Sequence, residues 1–457
     1  MLRVILASIV LTVSVHGKDM TVNRSDDGGN VWYVSSFGAK GDGVNKDTES
    51  LQHAIDHCAG EGGGVVAFSK GTYLTGTLFL KSNVHLLLEE GAEIRGSQDK
   101  RDYIPLPQRN HLKENYFLIF AENAKNISIT GTGIINGCGD TFWEEEMLSE
   151  YVRKPGEWRP SGMVGFVNCT EISLQRLSLI NSPCYTVWVM GCDDVGIDRM
   201  IIRNHTDGPN TDGIDIDCCR RVRITNCIIE GGDDAIAIKS DSGRFGEVRP
   251  CEEIFVSGCI LSSPPACGIR VGYEGDSPIR NCLFTNLSIH DSHHGINVIS
   301  VLPDPAYPSA IYEGTKIEHI RFNQIRMERI IQPIYMWMGN EKPHLPFLGY
   351  MRDIHIADVS AVNCGNSFIG STLPGNSIEG VFIDHVQVMA GGDAPAVCYA
   401  NVWGSRHPSL LYIHNVKGLR LKRLSLCIAP DLKNWQHKLL LEDIGELICN
   451  DQITPKP

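Results

Sequence analysis

Two short acidic segments interrupt otherwise apolar stretches of the chain: Asn210-Thr211-Asp212-Gly213 and Gly231-Gly232-Asp233-Asp234. Three carboxyl groups near one another repel, which costs stability and raises at least one pKa. Chemistry that needs both an acid and a base has use for such a set. Hydrolysis of a glycosidic bond is the clearest case: one carboxyl protonates the leaving oxygen while another activates water or attacks the sugar. Asp212, Asp233 and Asp234 are therefore the candidate catalytic residues. Asp215 and Asp217 alternate with Ile214 and Ile216 and are read as ordinary strand residues. Carboxylates of this kind could also hold Ca²⁺, but no loop has ligand spacing of the EF-hand or RTX type.

The elements that would bring these residues together follow from a repeat. Short segments of apolar residues at period two recur from Glu171, Asp194, Arg221, Glu253, Asn281, His319, Asp353, Gly380 and Gly418, at intervals of about 23 to 38 residues. Period two means strands. One such unit cannot bury its apolar face alone, but coils stacked on one another make a continuous core. The fold class expected is all-β, a single-domain right-handed parallel β-helix. In that fold Asp212 and Asp233 fall one coil apart, with backbones roughly 4.8 Å apart. Leu51 to Cys58, preceded by the acidic turn Asp47-Thr48-Glu49-Ser50, is apolar at helical spacing and would cap the open N-terminal end of the core.

Positive Met1-Leu2-Arg3, an apolar run to Val15 and small Gly17 have the order of a secretory leader. Residues 1–17 are read as a cleaved signal and 18–457 as the β-helix catalytic domain, exported to a periplasmic or extracellular location, with no membrane association after cleavage. Sixteen cysteines in an exported chain would suggest disulfides. Cys227 and Cys259, however, occupy equivalent repeat positions, so most cysteines are expected as buried thiols. A formal net charge of −13 argues against nucleic acid as a partner. It leaves an anionic sugar polymer open, because Lys239, Arg244, Arg249, Arg270 and Arg280 form a local basic stretch.

The chain resembles the polygalacturonase family, glycoside hydrolase family 28, from about Trp32 to about Ile330. The matching stretches are Phe37-Gly38-Ala39-Lys40-Gly41-Asp42-Gly43, Gly62-Gly63-Gly64, Gly131-Thr132-Gly133-Ile134-Ile135-Asn136-Gly137 and, most specifically, Asn210-Thr211-Asp212 with Gly232-Asp233-Asp234. The resemblance implies that Asp233 is the general acid and that Asp212 and Asp234 position and deprotonate water, with inversion at the anomeric carbon and no obligatory metal or other cofactor; the substrate expected is a pectic polysaccharide or oligosaccharide, and the protein is expected as a monomer. For inversion the acid and base are expected about 6.5 to 9.5 Å apart. Where the family has Gly-His-Gly this chain has Ala266-Cys267-Gly268, and where it has Arg-Ile-Lys the residues are Asn297-Val298-Ile299. Neutral side chains cannot clamp a galacturonate carboxylate, so a rhamnogalacturonan-type or otherwise altered polymer is the expected substrate. Asn210, Lys239, Cys267, Arg270, Tyr273 and Asn297 complete the substrate-binding set. His293 and His294 are expected as exposed turn residues, and Trp143, Tyr273, Trp337 and Trp403 either stack on sugars or anchor loops.

Overall fold

The computed structural model describes residues 11–15, 18–24, 30–106, 115–302, 314–340, 347–391, 409–432 and 435–450. Successive strands pair in parallel with strands of the next coil, giving a parallel β-helix. The predicted repeats coincide with the coils. Ile172, Val195, Val222, Ile254 and Cys282 lie opposite one another, and the column continues through Ile320, Ile354, Val381 and Leu419. All nine side chains are buried. At roughly 25 cal/mol per Å² of apolar surface removed from water, such columns supply most of the driving force for folding.

Each coil bends where a residue takes the left-handed conformation. Glu171, Asp194, Arg221, Glu253, Asn281, His319 and Asp353, the first residues of the repeats, all have φ between 53° and 59°; Gly380 and Gly418 continue the series at 66° and 68°. Next to this bend Cys169, Cys192 and Cys219 stack as a ladder, with the Cys169 and Cys192 amides donating to the sulfur one coil on at 3.2 and 3.3 Å. All described cysteines except Cys427 and Cys449 are buried, and the buried ones are free thiols.

Beside the bend runs a row of alternating charge: Asp193, Arg220, Glu252, Arg280, Glu318, Arg352, Glu379 and Lys417. Arg220 pairs with Asp193 at 2.7 Å, Arg280 with Glu252 at 2.6 Å and Arg352 with Glu318 at 2.7 Å. Each half-exposed pair adds little stability. The alternation still penalises a slip by one coil, which would set like charges opposite each other.

The expected helix is present as Thr48–Gly60 and buries Leu51, Ala54, Ile55 and Cys58 against the end of the core. Asp47 does not cap it through its side chain. Its carboxylate instead accepts from the Lys40 and Gly41 amides at 2.7 and 3.0 Å, tying down the loop before the helix. After the helix, a Cβ on Gly63 would sit 2.5 Å from the Asn83 carbonyl oxygen, so the chain needs glycine to enter the first coil. Of the leader read from sequence, residues 1–10 and 16–17 lie outside the described residues, and Leu11–Val15 pairs antiparallel with Lys18–Arg24. Among the described residues, no helix is long and apolar enough to cross a membrane.

Candidate active site

One strand of each coil carries the carboxylates: Tyr185–Met190, Ile214–Asp217, Ile236–Ser240, Cys267–Gly275 and part of Pro278–Leu302. Inward residues such as Ile214, Ile236, Ile269 and Ile296 join the core, so the alternate residues must face out. The outward row reads Trp188, Asp215, Ala237, Arg270, Asn297 and Tyr335. Aromatic clusters lie at both ends, one around Phe117, Phe120 and Trp188, the other around Tyr335, Trp337 and Phe368. The polar centre of this face lies between two apolar walls.

Asp212, Asp233 and Asp234 meet there, one carboxylate oxygen of each lying within 4.8 Å of the others. Their arrangement differs from the expected one. Ile214 lies opposite Ile236, and the Gly213 amide donates to the Asp234 carbonyl at 2.9 Å, so Asp212 is laid alongside Asp234 rather than Asp233. Asp233 occupies the turn one residue earlier. The nearest oxygens are also closer than the separation expected for inversion, because Asp233 and Asp234 are consecutive in one turn and Asp212 stacks on Asp234 from the neighbouring coil.

The flanking glycines are required by close backbone approaches. A Cβ on Gly213 would lie 2.5 Å from the Ala235 carbonyl oxygen, and one on Gly232 would lie 2.5 Å from that of Gly208. Thr211 fastens the two turns together: its hydroxyl accepts from the Gly232 amide at 3.0 Å and donates to the Gly208 carbonyl at 3.1 Å.

Two cations balance the carboxylates. Arg270 donates through Nε to Asp234 Oδ2, and the Cys267 amide donates to Asp234 Oδ1 at 3.1 Å. Lys239 Nζ is 2.7 Å from Asp215 Oδ1 and 3.7 Å from Asp212 Oδ2, and lies over the Tyr185 ring at 4.9 Å from its centroid. Asp215 is thus part of the site and completely buried, contrary to its reading as an ordinary strand residue. The signal was present in its parity: with Ile214 and Ile216 turned inward, Asp215 had to share the outward face with Arg270.

Burial and then Asp234 push the Asp233 carboxyl up to about 6. Burial also pushes Asp215 up to about 6, against the pull of Lys239. Asp212, 3% exposed with Oδ1 lacking a hydrogen-bond partner among the described residues, is driven well above the carboxylate range by burial and by Asp215 and Asp233. Burial works against the Lys239 charge, yet Asp215, Tyr185 and Asp212 hold it well above its ordinary value. The triad could receive a cation through one oxygen each, though Lys239 and Arg270 already supply positive charge at Asp212 and Asp234.

A group whose folded pKa exceeds its unfolded value stabilises the protein at low pH and loses that contribution as pH rises through the folded value. Asp212→Asn is therefore expected to stabilise the protein by about 1 kcal/mol at pH 7 while severely reducing activity. Urea unfolding would check this; the gain should shrink as the pH falls, and an equal gain at pH 4 would contradict it.

The other sequence-predicted residues fall in several settings. Asn297 is buried next to Arg270, with its Oδ1 unpartnered among the described residues. Cys267 places its thiol 3.7 Å from His294 Nδ1. Tyr273 packs on the aromatic cluster of Tyr335 and Trp337. Lys239 is nearly buried, and Asn210 is exposed, accepting from Arg159 at 2.6 Å. His293 and His294 are not exposed turn residues. They lie half-buried within the strand Pro278–Leu302, and burial together with nearby Arg270 lowers both pKa values. Trp143 and Trp337 bond Pro183 and Thr372 through their indole N–H groups, anchoring loops, while Trp403 lies outside the described residues.

Residues 107–364 match the family model described as glycosyl hydrolases family 28. The chain belongs to that family. Residues 31–93 match a second model, rhamnogalacturonase A/epimerase, pectate lyase-like. A Vitis vinifera protein named "Probable polygalacturonase" is 29% identical over 290 residues, covering 60% of this chain and 58% of that protein. The chain spans about three-fifths of the length of several curated relatives it matches. Among solved structures, the family 28 exopolygalacturonase of Yersinia enterocolitica shares the fold with a TM-score of 0.71 at 18% identity, over 93% of this chain and 83% of that one. The hyperthermoactive exopolygalacturonase of Thermotoga maritima does so with a TM-score of 0.64 at 20% identity, over 92% of each chain.

Proposed function

We propose that this family 28 protein is an exported, monomeric hydrolase of pectic glycans that inverts the anomeric centre, with residues 1–17 acting as a cleaved leader. The observation that carries the reading is the convergence of Asp212, Asp233 and Asp234 within 4.8 Å, beside Arg270. Asp233 is the most accessible of the three and is poised near 6, which suits the proton donor. Asp234 accepts at both oxygens and, with Asp212, is nearly buried.

A short separation between carboxyl groups would ordinarily favour direct attack on the sugar. Here Asp212 and Asp234 are each only 3% exposed, which leaves no room for a sugar ring to reach them, and the reading is that a small water molecule takes the nucleophile's place. Attack through water inverts the centre. Proton NMR of the first-formed product should show the inverted anomer; retention, or an unsaturated product, would overturn this mechanism. A lyase needs a basic residue free to take a proton, and Lys239 and Arg270 are both engaged by carboxylates.

Specificity follows from the same inventory. Asn297 and Ile299 are neutral, Arg270 is bound to Asp234, and burial disfavours charge on His293 and His294. A galacturonate carboxylate at the cleaved bond would be left without a counter-ion. The reading is that a neutral sugar, such as the rhamnose of rhamnogalacturonan, occupies that position. On defined oligomers, kcat/KM should favour rhamnogalacturonan over homogalacturonan by about tenfold or more. Equal efficiency on the two would show that the missing clamp does not set specificity.

A further inference from the structure

The next strand of each coil, beyond the bend, presents a second outward row that none of the catalytic residues joins. Arg223, Phe255, Leu283 and Arg321 lie opposite one another on successive coils, and the row continues through His355 and Phe382 to Arg420. We propose that this row is a second binding track, outside the carboxylate cleft, for a uronate-bearing polysaccharide. The choice of a uronate glycan over other polyanions rests on the pectic reading above.

The contrast with the neighbouring row makes the argument. Three positions back along the same strands, Arg220, Arg280 and Arg352 are each neutralised by a carboxylate one coil away. Arg223 and Arg321 are exposed and have no ion-pair partner among the described residues; Arg420, also exposed, lies over the Phe382 ring at 5.0 Å from its centroid. The three cations recur every third coil, about 14 Å apart at the spacing of stacked strands. A linear chain with regularly placed carboxylates can meet such a series, and guanidinium groups bind carboxylates in two-pronged fashion.

Half-buried Phe255 and the stacked rings of His355 and Phe382, 4.2 Å apart, offer flat apolar surface between the cations. His355 is itself bonded to Asp353 at 2.7 Å. On the other flank, Thr225, Ser257, Thr285 and Asn323 form a neutral row able to bond sugar hydroxyls. Gly196, with no side chain, leaves room on the coil next to Arg223, where a groove of about 830 Å³ is lined by Arg223 and Phe255. Asp194, which also lines it, is neutralised by Arg221 at 2.7 Å, whereas Glu253 stands at the groove as an acid without a paired cation among the described residues.

The test measures binding of polygalacturonate to the full chain carrying Asp233→Asn, so that the polymer is not consumed, with dextran as the neutral control. Arg223→Glu/Arg321→Glu is expected to weaken the salt-sensitive binding about tenfold or more. Lys40→Glu/Lys70→Glu, an equal charge change at exposed positions off the row, should have a much smaller effect. Arg223→Gln/Arg321→Gln serves if the reversal disturbs folding, and Glu253→Gln should strengthen binding. Hydrolysis by the unaltered protein is measured alongside: row-dependent binding without hydrolysis of any pectic polymer would sink the catalytic reading and leave the track standing. Unchanged affinity in both arginine variants, with normal thermal unfolding, would overturn the track.

Discussion

Asp233→Asn is expected to lower kcat by about 10² to 10⁴ with little change in KM, because the amide cannot give the leaving oxygen a proton. The substitution is conservative in structure. Asp233 Oδ1 accepts the Asp234 amide at 2.9 Å, and the amide oxygen of asparagine can accept the same bond. Folding should therefore survive, and circular dichroism with thermal unfolding would verify it. The pH profile supplies a second readout. Burial and Asp234 set the acid near 6, so in the unaltered protein the rate should fall as pH rises through that value and the proton is lost. In the variant that alkaline limb should disappear with the activity. A variant retaining more than a tenth of the normal kcat would remove Asp233 from the acid role.

The apolar columns were legible because a β-helix repeats itself: Ile172 to Leu419 occupy one position in nine successive segments, and period two separates core from surface. The bends were less legible. Glycine and asparagine are the usual residues of the left-handed conformation, but here Glu171, Arg221, Glu253 and His319 adopt it, held by the hydrogen bonding of the coils on either side. No local composition marks such a turn.

The triad could be found by residue type and adjacent glycine, and its family motif was specific. Its exact stacking could not, since that depends on register: counting coils between Asp212 and Asp233 gives the right neighbourhood, while the pairing of Ile214 with Ile236 decides which carboxylate lies alongside. The half-buried setting of His293 and His294 was hidden for a related reason. In the sequence they look like polar residues before a glycine, whereas in the fold they continue a strand whose outward face is covered by Tyr335, 5.1 Å from the His294 ring.

The same register explains why Lys239 carries a large share of the site's stability. Asp215, wholly buried, has its nearest counter-charge in Lys239 Nζ at 2.7 Å, and the lysine side chain is only 9% exposed. Deleting one partner of a buried pair leaves the other charge uncompensated, which typically costs about 3 to 5 kcal/mol. Lys239→Met, similar in length and apolar, should show a loss of that order at pH 8. Lys239 favours the ionised form of Asp215, so without it the carboxyl pKa must rise above its present value near 6. At pH 5 Asp215 is mostly protonated with or without the lysine, and the loss should be much smaller. Adding Asp215→Asn to Lys239→Met should recover most of the stability at pH 8, since no buried charge of that pair remains. Urea-unfolding midpoints of the unaltered protein and the two variants at both pH values measure this directly. An equal loss at pH 5 and pH 8, or no recovery in the double variant, would mean that lysine packing against Tyr185, rather than neutralisation of Asp215, is what the side chain contributes.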